Sequence, residues 1–409
     1  MRILHTSDWH LGASLENVSR DRDHALFLDW LAATLERERV DVLVIAGDVF
    51  DQAHPSAEAQ RLYFRFLCAI AGKTLQKVVI VGGNHDSASR LDAPGEVLAS
   101  LEVHVVGGLL ADEATWDRCV CPIPGRTGGI EAVVLAVPFV HEYRLGVRTV
   151  LATTEEVRES FRSRFGALYR KLVDRAEALH DGAPVIATGH MTCDGWEKGD
   201  SPADVHLVGS IGGLPADVFD ERIQYVALGH IHRSYRVGTS RAYYSGSPIS
   251  LCLKEGRTAR SVRLVELAQP GAAASVTRLE IPCFREVLEL RGPLDEVVAQ
   301  LEKLAWASPL SPLVYASVEV ERYAASLPEQ LRQVALARGA GGPQLVQVRQ
   351  TLKQDPEQRG VHGAVNAVLT DLSPEEVFLR LCDERREPVD EQLLTAFRSL
   401  LSVDAEAAP

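Results

Sequence analysis

Short apolar runs recur along the first 232 residues, and most of them end in polar residues; this arrangement limits the possible folds more than any other feature. The predicted strands are Arg2 to Thr6, Val40 to Ala46, Lys77 to Val81, Val133 to Val137, Pro184 to Thr188 and Tyr225 to Leu228. The predicted helices are Asp21 to Glu38, Ala57 to Ala71 and Thr154 to Leu179. Short strands that alternate with amphipathic helices are typical of an α/β protein with a covered sheet.

Polar turns follow five of these six strands. The five segments are Ser7-Asp8-Trp9-His10, Gly47-Asp48-Val49-Phe50-Asp51, Gly82-Gly83-Asn84-His85-Asp86, Gly189-His190 and Gly229-His230-Ile231-His232. In α/β sheets, ligands bind at the carboxyl ends of the strands. Glycine lets the backbone turn sharply there, so that the next side chain projects into the crevice. We therefore expect the polar residues to meet in one pocket.

The residues of these turns include a mixture of carboxylate, amide and imidazole groups. The seven candidate ligands are Asp8, His10, Asp48, Asn84, His190, His230 and His232. Singly they are weak evidence, because an Asp often caps a helix and a lone His is often structural. Together they offer the oxygen and nitrogen donors that divalent metals of phosphate chemistry prefer. Asp8 and His10 are separated by one residue, as are His230 and His232, so each pair places both side chains on one side of an extended segment. Asp48 could bridge two ions with its two oxygens.

Composition narrows the class of protein further. The net charge of −13 argues against a protein that coats nucleic acid through bulk electrostatics, although metal ions in a site would add local positive charge. The seven cysteines are odd in number and scattered, so we expect reduced, mostly buried thiols. Cys119 and Cys121 alone cannot complete a tetrahedral zinc site.

The N-terminus reaches Asp8 too early for the apolar core of a secretory signal, and no run of about 18 apolar residues follows. We therefore expect a cytoplasmic protein that does not enter a membrane.

The pattern changes after residue 275. A strand at Glu286 to Leu290, a helix at Leu294 to Leu304 and a strand at Leu313 to Val320 predict a smaller α+β domain over 276–352. Residues 353–372 are predicted to be a linker. Residues 373–409 are predicted to hold helices, with an apolar stripe at Leu393, Leu394, Phe397, Leu400 and Leu401. Such a stripe either folds back on its own domain or binds a partner.

The five polar turns resemble, in order and identity, the complete pattern of the calcineurin-like metallophosphoesterases. The sequence around them is similar to the D-subunit family of bacterial SbcCD nucleases. The similar segments are Ile3-Leu4-His5-Thr6-Ser7-Asp8-Trp9-His10-Leu11-Gly12, Gly47 to Asp51, Gly83-Asn84-His85-Asp86-Ser87-Ala88-Ser89-Arg90-Leu91 and Tyr244-Ser245-Gly246-Ser247-Pro248. The resemblance implies a four-layer phosphoesterase sandwich over 1–275, a DNA-capping domain and C-terminal helices that bind a partner.

The resemblance also implies roles for the site residues. Asp8, His10, Asp48 and His232 would hold one metal ion, and Asp48, Asn84, His190 and His230 the other; two Mn²⁺ are expected, with Mg²⁺ also compatible. His85 would orient the phosphate or protonate the leaving oxygen; the alternative is a structural histidine.

Four further residues are expected near the site. His5 and Asp86 either fix imidazole tautomers or are structural. Asp51 would contact metal-bound water or DNA, or cap a turn. Arg90 is a candidate for contact with DNA phosphate.

The function that the resemblance implies is a nuclease subunit acting in DNA repair, recombination and replication. It would be a double-strand 3′–5′ exonuclease and a single-strand and hairpin endonuclease. The expected partners are the ATPase subunit SbcC, whose coiled coil would bind the C-terminal helices, and DNA ends and hairpins. A homodimer within a heterotetramer, associated with the nucleoid, is expected. A small-molecule or cyclic-nucleotide phosphodiesterase with the same site is the alternative enzyme, and a scaffold with a decayed site is the non-enzymatic one.

Overall fold

A computed structural model describes residues 1–352, apart from 74, 127, 148–152, 195–212, 268–272 and 340, together with Phe378, Leu393 and Leu394. The chain divides into two compact units, Met1–Thr351 and Leu352–Pro409. The predicted linker lies outside the described residues, as do the predicted C-terminal helices apart from three residues. Of the predicted apolar stripe, Leu393 and Leu394 are described, and both are helical.

The strands and helices of the first unit alternate along most of its length. The strands are β1 (Arg2–Thr6), β2 (Ser14–Leu15), β3 (Val18–Ser19), β4 (Val42–Ala46), β5 (Lys77–Val81), β6 (Val103–Val106), β7 (Val120–Pro124), β8 (Ile130–Leu135), β9 (Val185–His190), β10 (Ile223–Gly229), β11 (Tyr235–Arg236), β12 (Ala242–Tyr244), β13 (Ser261–Glu266), β14 (Ser275–Glu280), β15 (Arg285–Pro293), β16 (Leu310–Val320) and β17 (Gln344–Leu352). The helices are α1 (Asp21–Arg37), α2 (Ala57–Ile70), α3 (Ala88–Asp92), α4 (Gly95–Ala99), α5 (Thr154–Leu179), α6 (Leu294–Lys303) and α7 (Leu327–Ala337).

Two six-stranded sheets form the larger part of this unit. The first has the order β14-β13-β1-β4-β5-β6, in which β1, β4, β5 and β6 are parallel. The second has the order β11-β12-β10-β9-β8-β7, in which β12, β10, β9 and β8 are parallel. In each sheet the parallel strands thus share one carboxyl edge.

Side chains of β4 alternate between two hydrophobic cores. Val42, Val44 and Ala46 pack in the core shared with the second sheet, whereas Leu43 and Ile45 pack in the core shared with α1 and α2. This alternation follows from the two-residue period of a strand. The first sheet is therefore covered on both faces, which explains why its central strands are apolar throughout.

Helix α5 covers the outer face of the second sheet. Phe165, Leu168 and Leu172 pack in the same core as the second sheet. Its first turn has a capping box, in which the Thr153 side chain accepts from the Glu156 amide and Glu156 accepts from the Thr153 amide. Helix, sheet, sheet and helix thus make the four layers that the sequence predicts.

A smaller domain follows β14, the last strand of the first sheet. Its three strands have the order β15-β16-β17, and α6 joins the parallel pair β15 and β16. Side chains of α6 and α7 pack on this sheet in a separate core. The predicted strand, helix and strand of this region are present, and α7 and β17 are additions that the sequence pattern did not reveal.

The last strand of the first sheet extends beyond the predicted domain boundary. Strand β14 pairs antiparallel with β13 along its whole length, from Ser275 to Glu280. The first sheet therefore ends at Glu280 and not at residue 275. Exposed residues predominate on this edge strand, so its sequence lacks the apolar pattern by which the other strands were recognised.

Among the described residues, no helix has both the length and the apolar character needed to cross a bilayer.

Candidate metal centre

The five predicted polar turns converge at the carboxyl edges of the two sheets. The segments that carry Asp8 and His10, Asp48, and Asn84 follow the adjacent strands β1, β4 and β5. His190 is the last residue of β9, and the segment that carries His230 follows its neighbour β10. Since the two sheets pack face to face, ligands from both meet where these edges meet.

Strained backbone marks the same residues. Asp8, His10, Asp48 and His230 have φ angles of 52°, 48°, 49° and 94°, in the left-handed region that costs a residue with a side chain about 1–3 kcal/mol. Gly229 allows the close approach of the sheets, because a Cβ atom there would lie 1.9 Å from the carbonyl oxygen of Ala46. Strain of this kind is characteristic of functional sites.

A first group of donor atoms comprises Asp8, His10 and His232, whose potential ligand atoms lie within 4.8 Å of one another. The Nε2 atoms of the two imidazoles are 3.1 Å apart. Nδ1 of His10 faces the Asp51 carboxylate at 3.2 Å, and Nδ1 of His232 faces the Glu255 carboxylate at 2.9 Å. Ionised carboxylates only accept hydrogen bonds, so each neutral ring carries its proton on Nδ1. Two Nε2 lone pairs then face each other, an arrangement that a cation between them would relieve.

A second group is centred on His190. Its Nδ1 donates to the Ala46 carbonyl at 2.9 Å, which leaves the Nε2 lone pair facing Asp48 Oδ2 at 3.2 Å and Asn84 Oδ1 at 3.0 Å. The amide oxygen of Asn84 also lies 2.9 Å from Nδ1 of His230. Oxygen and nitrogen acceptors again converge on one point.

Asp48 lies between the two groups. Its Oδ2 is 3.2 Å from His190 Nε2 and 3.6 Å from His10 Nε2, while Oδ1 accepts from the His85 amide at 2.9 Å. Burial alone would raise the pKa of Asp48, but His190 and His10 hold it well below its usual range. Burial would lower the pKa of His190, but the charge of Asp48 and its hydrogen bond to the ring outweigh burial and raise that pKa to about 9. A proton and a metal ion thus compete for the same lone pair.

These residues fit a pair of divalent cations. The donor set is one of carboxylates, an amide and imidazoles without thiolate, which suits hard and borderline metal ions. A single carboxylate reaches both groups, as a two-metal clamp requires.

His85 is exposed at the mouth of this site. Its Nδ1 donates to the Asp51 carbonyl at 2.8 Å, and its ring lies edge-on to that of His10, with centroids 4.8 Å apart. The hydrogen bond fixes the ring and leaves Nε2 as the nitrogen able to meet a substrate.

Asp86 and His5 make contacts that match the structural alternative left open by the sequence. The Asp86 carboxylate accepts from the backbone amides of Val49, Phe50 and Gly83, so it ties the loop after β4 to the loop after β5. Burial and the nearby Asp48 charge raise the pKa of Asp86 to about 6. His5 is fully buried, and its Nδ1 lies 2.8 Å from the Tyr225 hydroxyl.

Asp51 and Glu255 are the carboxylates that face imidazoles. The Asp51 side chain orients His10, and its expected contact with metal-bound water or DNA stays a prediction. Glu255 was not among the predicted site residues, because it lies in a single turn of 3₁₀ helix whose sequence shows no periodic pattern. Burial would raise the pKa of Glu255, but its hydrogen bond with His232 lowers that pKa to about 2. Arg90 is exposed on α3.

None of the described cysteines is among the candidate ligands. Burial raises the pKa of the Cys119, Cys121 and Cys193 thiols to about 12, so they stay protonated at neutral pH. Of the six described cysteines these three are buried, whereas Cys68, Cys252 and Cys283 are exposed, so the expectation of mostly buried thiols holds for only half of them.

Two family models match the chain. The model described as calcineurin-like phosphoesterase matches residues 1–234, and the model described as Type 5 capsule protein repressor C-terminal domain matches residues 283–386. The first match contains every candidate ligand. The second begins close to the end of the first sheet.

Known proteins are similar to the chain over most or all of its length. It is 37% identical over 330 residues to the D subunit of the SbcCD nuclease of Rhodobacter capsulatus, covering 79% of this chain and 81% of the relative. It is 31% identical over 417 residues to the D subunit of the SbcCD nuclease of Escherichia coli strain K12, covering all of both chains. A solved dimetal phosphatase from Danio rerio matches at 15% identity and a TM-score of 0.36, over 68% of this chain and 98% of that chain.

Proposed function

Because this chain belongs to the D-subunit family of SbcCD nucleases within the calcineurin-like phosphoesterases, we propose that it is the metal-dependent nuclease subunit of an SbcCD-type complex. It hydrolyses phosphodiester bonds of DNA. The observation that carries the proposal is the convergence of lone pairs at the sheet edges, above all those of His10 and His232, whose Nε2 atoms lie 3.1 Å apart.

Two sets of ligands share Asp48. Asp8, His10, Asp48 and His232 would hold one ion, and Asp48, Asn84, His190 and His230 would hold the other. Divalent cations bound there would neutralise charge on the phosphoryl group and make a bound water a better nucleophile. The oxygen and nitrogen donors are compatible with Mn²⁺, which we propose as the ion, and with Mg²⁺.

His85 transfers the proton in this proposal. Its Nδ1–H is held by the Asp51 carbonyl at 2.8 Å, so Nε2 is the atom that faces the substrate. Protonated at Nε2, the ring donates to the leaving oxygen of the sugar. The Asp51 side chain orients His10 at the same time.

DNA ends and hairpins are the proposed substrates, cut by a 3′–5′ exonuclease activity on duplexes and an endonuclease activity on single strands and hairpins. The domain that follows residue 280 would cap the site. A net charge of −13 gives this chain little general attraction for DNA, so most DNA affinity would come from its partner.

That partner is an SbcC-type ATPase subunit. Residues 373–409 would bind its coiled coil through the apolar stripe, two copies of this chain would form a dimer within a heterotetramer, and residues 353–372 would connect the two parts. The complex would associate with the nucleoid.

A cleavage assay on three substrates tests this proposal, with the DNAs resolved on a gel and the small phosphodiester followed by absorbance. The purified chain with Mn²⁺ is offered end-labelled duplex DNA, a DNA hairpin and a small chromogenic phosphodiester, with and without the ATPase subunit and ATP. We expect cleavage of both DNAs, enhanced by the partner and abolished by EDTA. Cleavage of the small phosphodiester without cleavage of either DNA would contradict the proposal and favour a small-molecule phosphodiesterase.

A further inference from the structure

One turn of 3₁₀ helix, Lys254–Arg257, lies between the candidate ligand His232 and the first strand of the smaller domain, β15. We propose that this segment, the Glu255 turn, is a positioning element through which docking of the smaller domain sets the orientation of His232. The inference rests on the proposed two-metal site and adds a means by which its geometry is controlled.

The ligand side of the turn is a carboxylate with a fixed position. Glu255 Oε1 lies 2.9 Å from Nδ1 of His232. Its Oε2 accepts from the Leu251 amide at 2.9 Å and from the Ser247 hydroxyl at 3.2 Å. Arg260 donates to the Glu255 carbonyl at 2.7 Å and to the His232 carbonyl at 2.7 Å. Because the carboxylate is held from several directions, it fixes the imidazole rather than following it.

The other side of the turn touches the smaller domain directly. A Cβ atom on Gly256 would lie 2.5 Å from the carbonyl oxygen of Val287, so the turn and β15 meet backbone to backbone. The next residue, Arg257, forms an ion pair with Glu289 of β15 at 2.9 Å, and Arg291 pairs with the same carboxylate at 2.7 Å. Because no flexible side chain separates the two backbones at Gly256, a shift of β15 would move the Glu255 turn as well.

Strand β15 also contacts the phosphoesterase domain away from the Glu255 turn. Val287 belongs to a buried cluster with Leu15, Leu313 and Tyr315. Arg285 forms a buried ion pair with Asp23 of α1, with Nε–Oδ2 at 3.0 Å. The smaller domain thus docks as a unit, and the Glu255 turn lies within the docked surface.

The consequence falls on one of the two proposed ions. His232 Nε2 lies 3.1 Å from His10 Nε2, and a tilt of the His232 ring would move its lone pair away from the point that the two rings share. Loss of an outer partner of a ligand histidine typically weakens metal affinity about 10–100-fold. Displacement of β15 should therefore weaken one Mn²⁺ equivalent and leave the other.

Gly256→Ala tests the domain contact without removing any hydrogen bond. Gly256 does not have a positive φ, so alanine is conformationally allowed and its cost is the collision with Val287. Gly341→Ala is the matched control, since Gly341 also lacks a positive φ and its Cβ would meet nothing within 4 Å. Calorimetric titration with Mn²⁺ should show one of two equivalents weakened about 10-fold in Gly256→Ala and neither in Gly341→Ala. Equal affinities in the two variants would overturn the proposal.

A double-mutant cycle tests whether the effect passes through Glu255. Glu255→Ala should weaken the same equivalent about 10–100-fold. Glu255→Gln should recover only part of the loss, because its amide oxygen can accept from His232 but its amide nitrogen cannot accept from the Leu251 amide. Adding Gly256→Ala to Glu255→Ala should then cost nothing further. The same fold-loss on both backgrounds would show that the domain acts by another route and would overturn the proposal.

Two outcomes separate this inference from the proposed function. A wild-type chain that binds two Mn²⁺ but cuts no DNA would contradict the function and leave the positioning role intact. A nuclease whose Mn²⁺ affinities are unchanged in Gly256→Ala would contradict the positioning role alone. Should Glu255→Ala not fold, Gly256→Ala still decides.

Discussion

The Nε2 atoms of His10 and His232 lie 3.1 Å apart, and the Nδ1 atom of each ring faces a carboxylate, Asp51 for one and Glu255 for the other. Both carboxylates hold the ring proton on Nδ1. The two lone pairs oppose each other inside a largely buried pocket, where their repulsion is weakly screened. A positive charge between the two rings, such as a metal ion, would remove this repulsion.

Metal binding should therefore stabilise the folded chain. A ligand at 100 times its dissociation constant adds about 2.7 kcal/mol to the free energy of unfolding. We expect a higher melting temperature with Mn²⁺ than with EDTA, measured by differential scanning fluorimetry. The variant Asp48→Ala serves as the control and should show little difference between the two conditions. A wild-type melting temperature that is the same with Mn²⁺ as with EDTA would contradict the ligand assignment.

Asp48 should be the residue on which both ions depend. Its Oδ2 lies within 3.6 Å of both His10 Nε2 and His190 Nε2. We expect Asp48→Ala to reduce the Mn²⁺ stoichiometry from two to none, measured by titration calorimetry. Asp51→Asn is the comparison, because the Asp51 side chain faces only one of the candidate ligands, His10, and the substitution leaves the Asp51 carbonyl that holds His85 in place. This variant should keep two ions, one of them bound more weakly. Retention of one tightly bound ion in Asp48→Ala would refute the bridging role.

His85 should act in cleavage and not in metal binding. A positioned proton donor contributes about 10²–10⁴-fold to a rate. His85→Gln should therefore lower kcat for duplex DNA by at least about 100-fold, with two Mn²⁺ still bound. His180→Gln is the control, because His180 precedes β9 at the end opposite to His190. Parallel loss of metal and activity in His85→Gln would move His85 from catalysis to structure.

Much of the architecture could be predicted because it depends on local patterns. Helix α5 begins and ends at the predicted Thr154 and Leu179, and β1 and β5 have the predicted bounds. The ligand positions were predictable for the same reason, since each comes directly after a strand with a clear apolar pattern. That these residues meet in one pocket was also predictable, because parallel strands share a carboxyl edge.

The residues that sequence alone did not place owe their roles to tertiary contacts. Glu255 reaches His232 across 23 positions, and no local period links them. The sequence left open whether Asp86 fixes an imidazole or is structural; in the folded chain its carboxylate accepts from three backbone amides. Strand β14 lacks an apolar face, so the end of the first sheet at Glu280 had no signal either.

Stability should fall at mildly acid pH because of His24. This residue is fully buried, its Nε2 donates to the Trp9 carbonyl at 2.8 Å, and its Nδ1 has no hydrogen-bond partner among the described residues. Burial, and then the charge of Arg20, lower the pKa of His24 to about 4. Above pH 6.5 the ring is neutral in both the folded and the unfolded chain. As the pH falls from 6.5 to 4, only the unfolded chain takes up the proton, so this stability is progressively lost.

The effect of His24 on the free energy of unfolding is large enough to measure, and His24→Gln provides the control. A pKa difference of about 2.5 corresponds to roughly 3 kcal/mol in the free energy of unfolding. His24→Gln keeps a donor for the Trp9 carbonyl and removes the titrating group. Urea unfolding in EDTA should show a smaller loss of stability between pH 6.5 and pH 4 in His24→Gln than in the wild type. Because all other buried histidines, including His5, are common to both chains, the difference isolates His24. Identical pH profiles would mean that the ring becomes charged in the folded chain, which its burial beside Arg20 argues against.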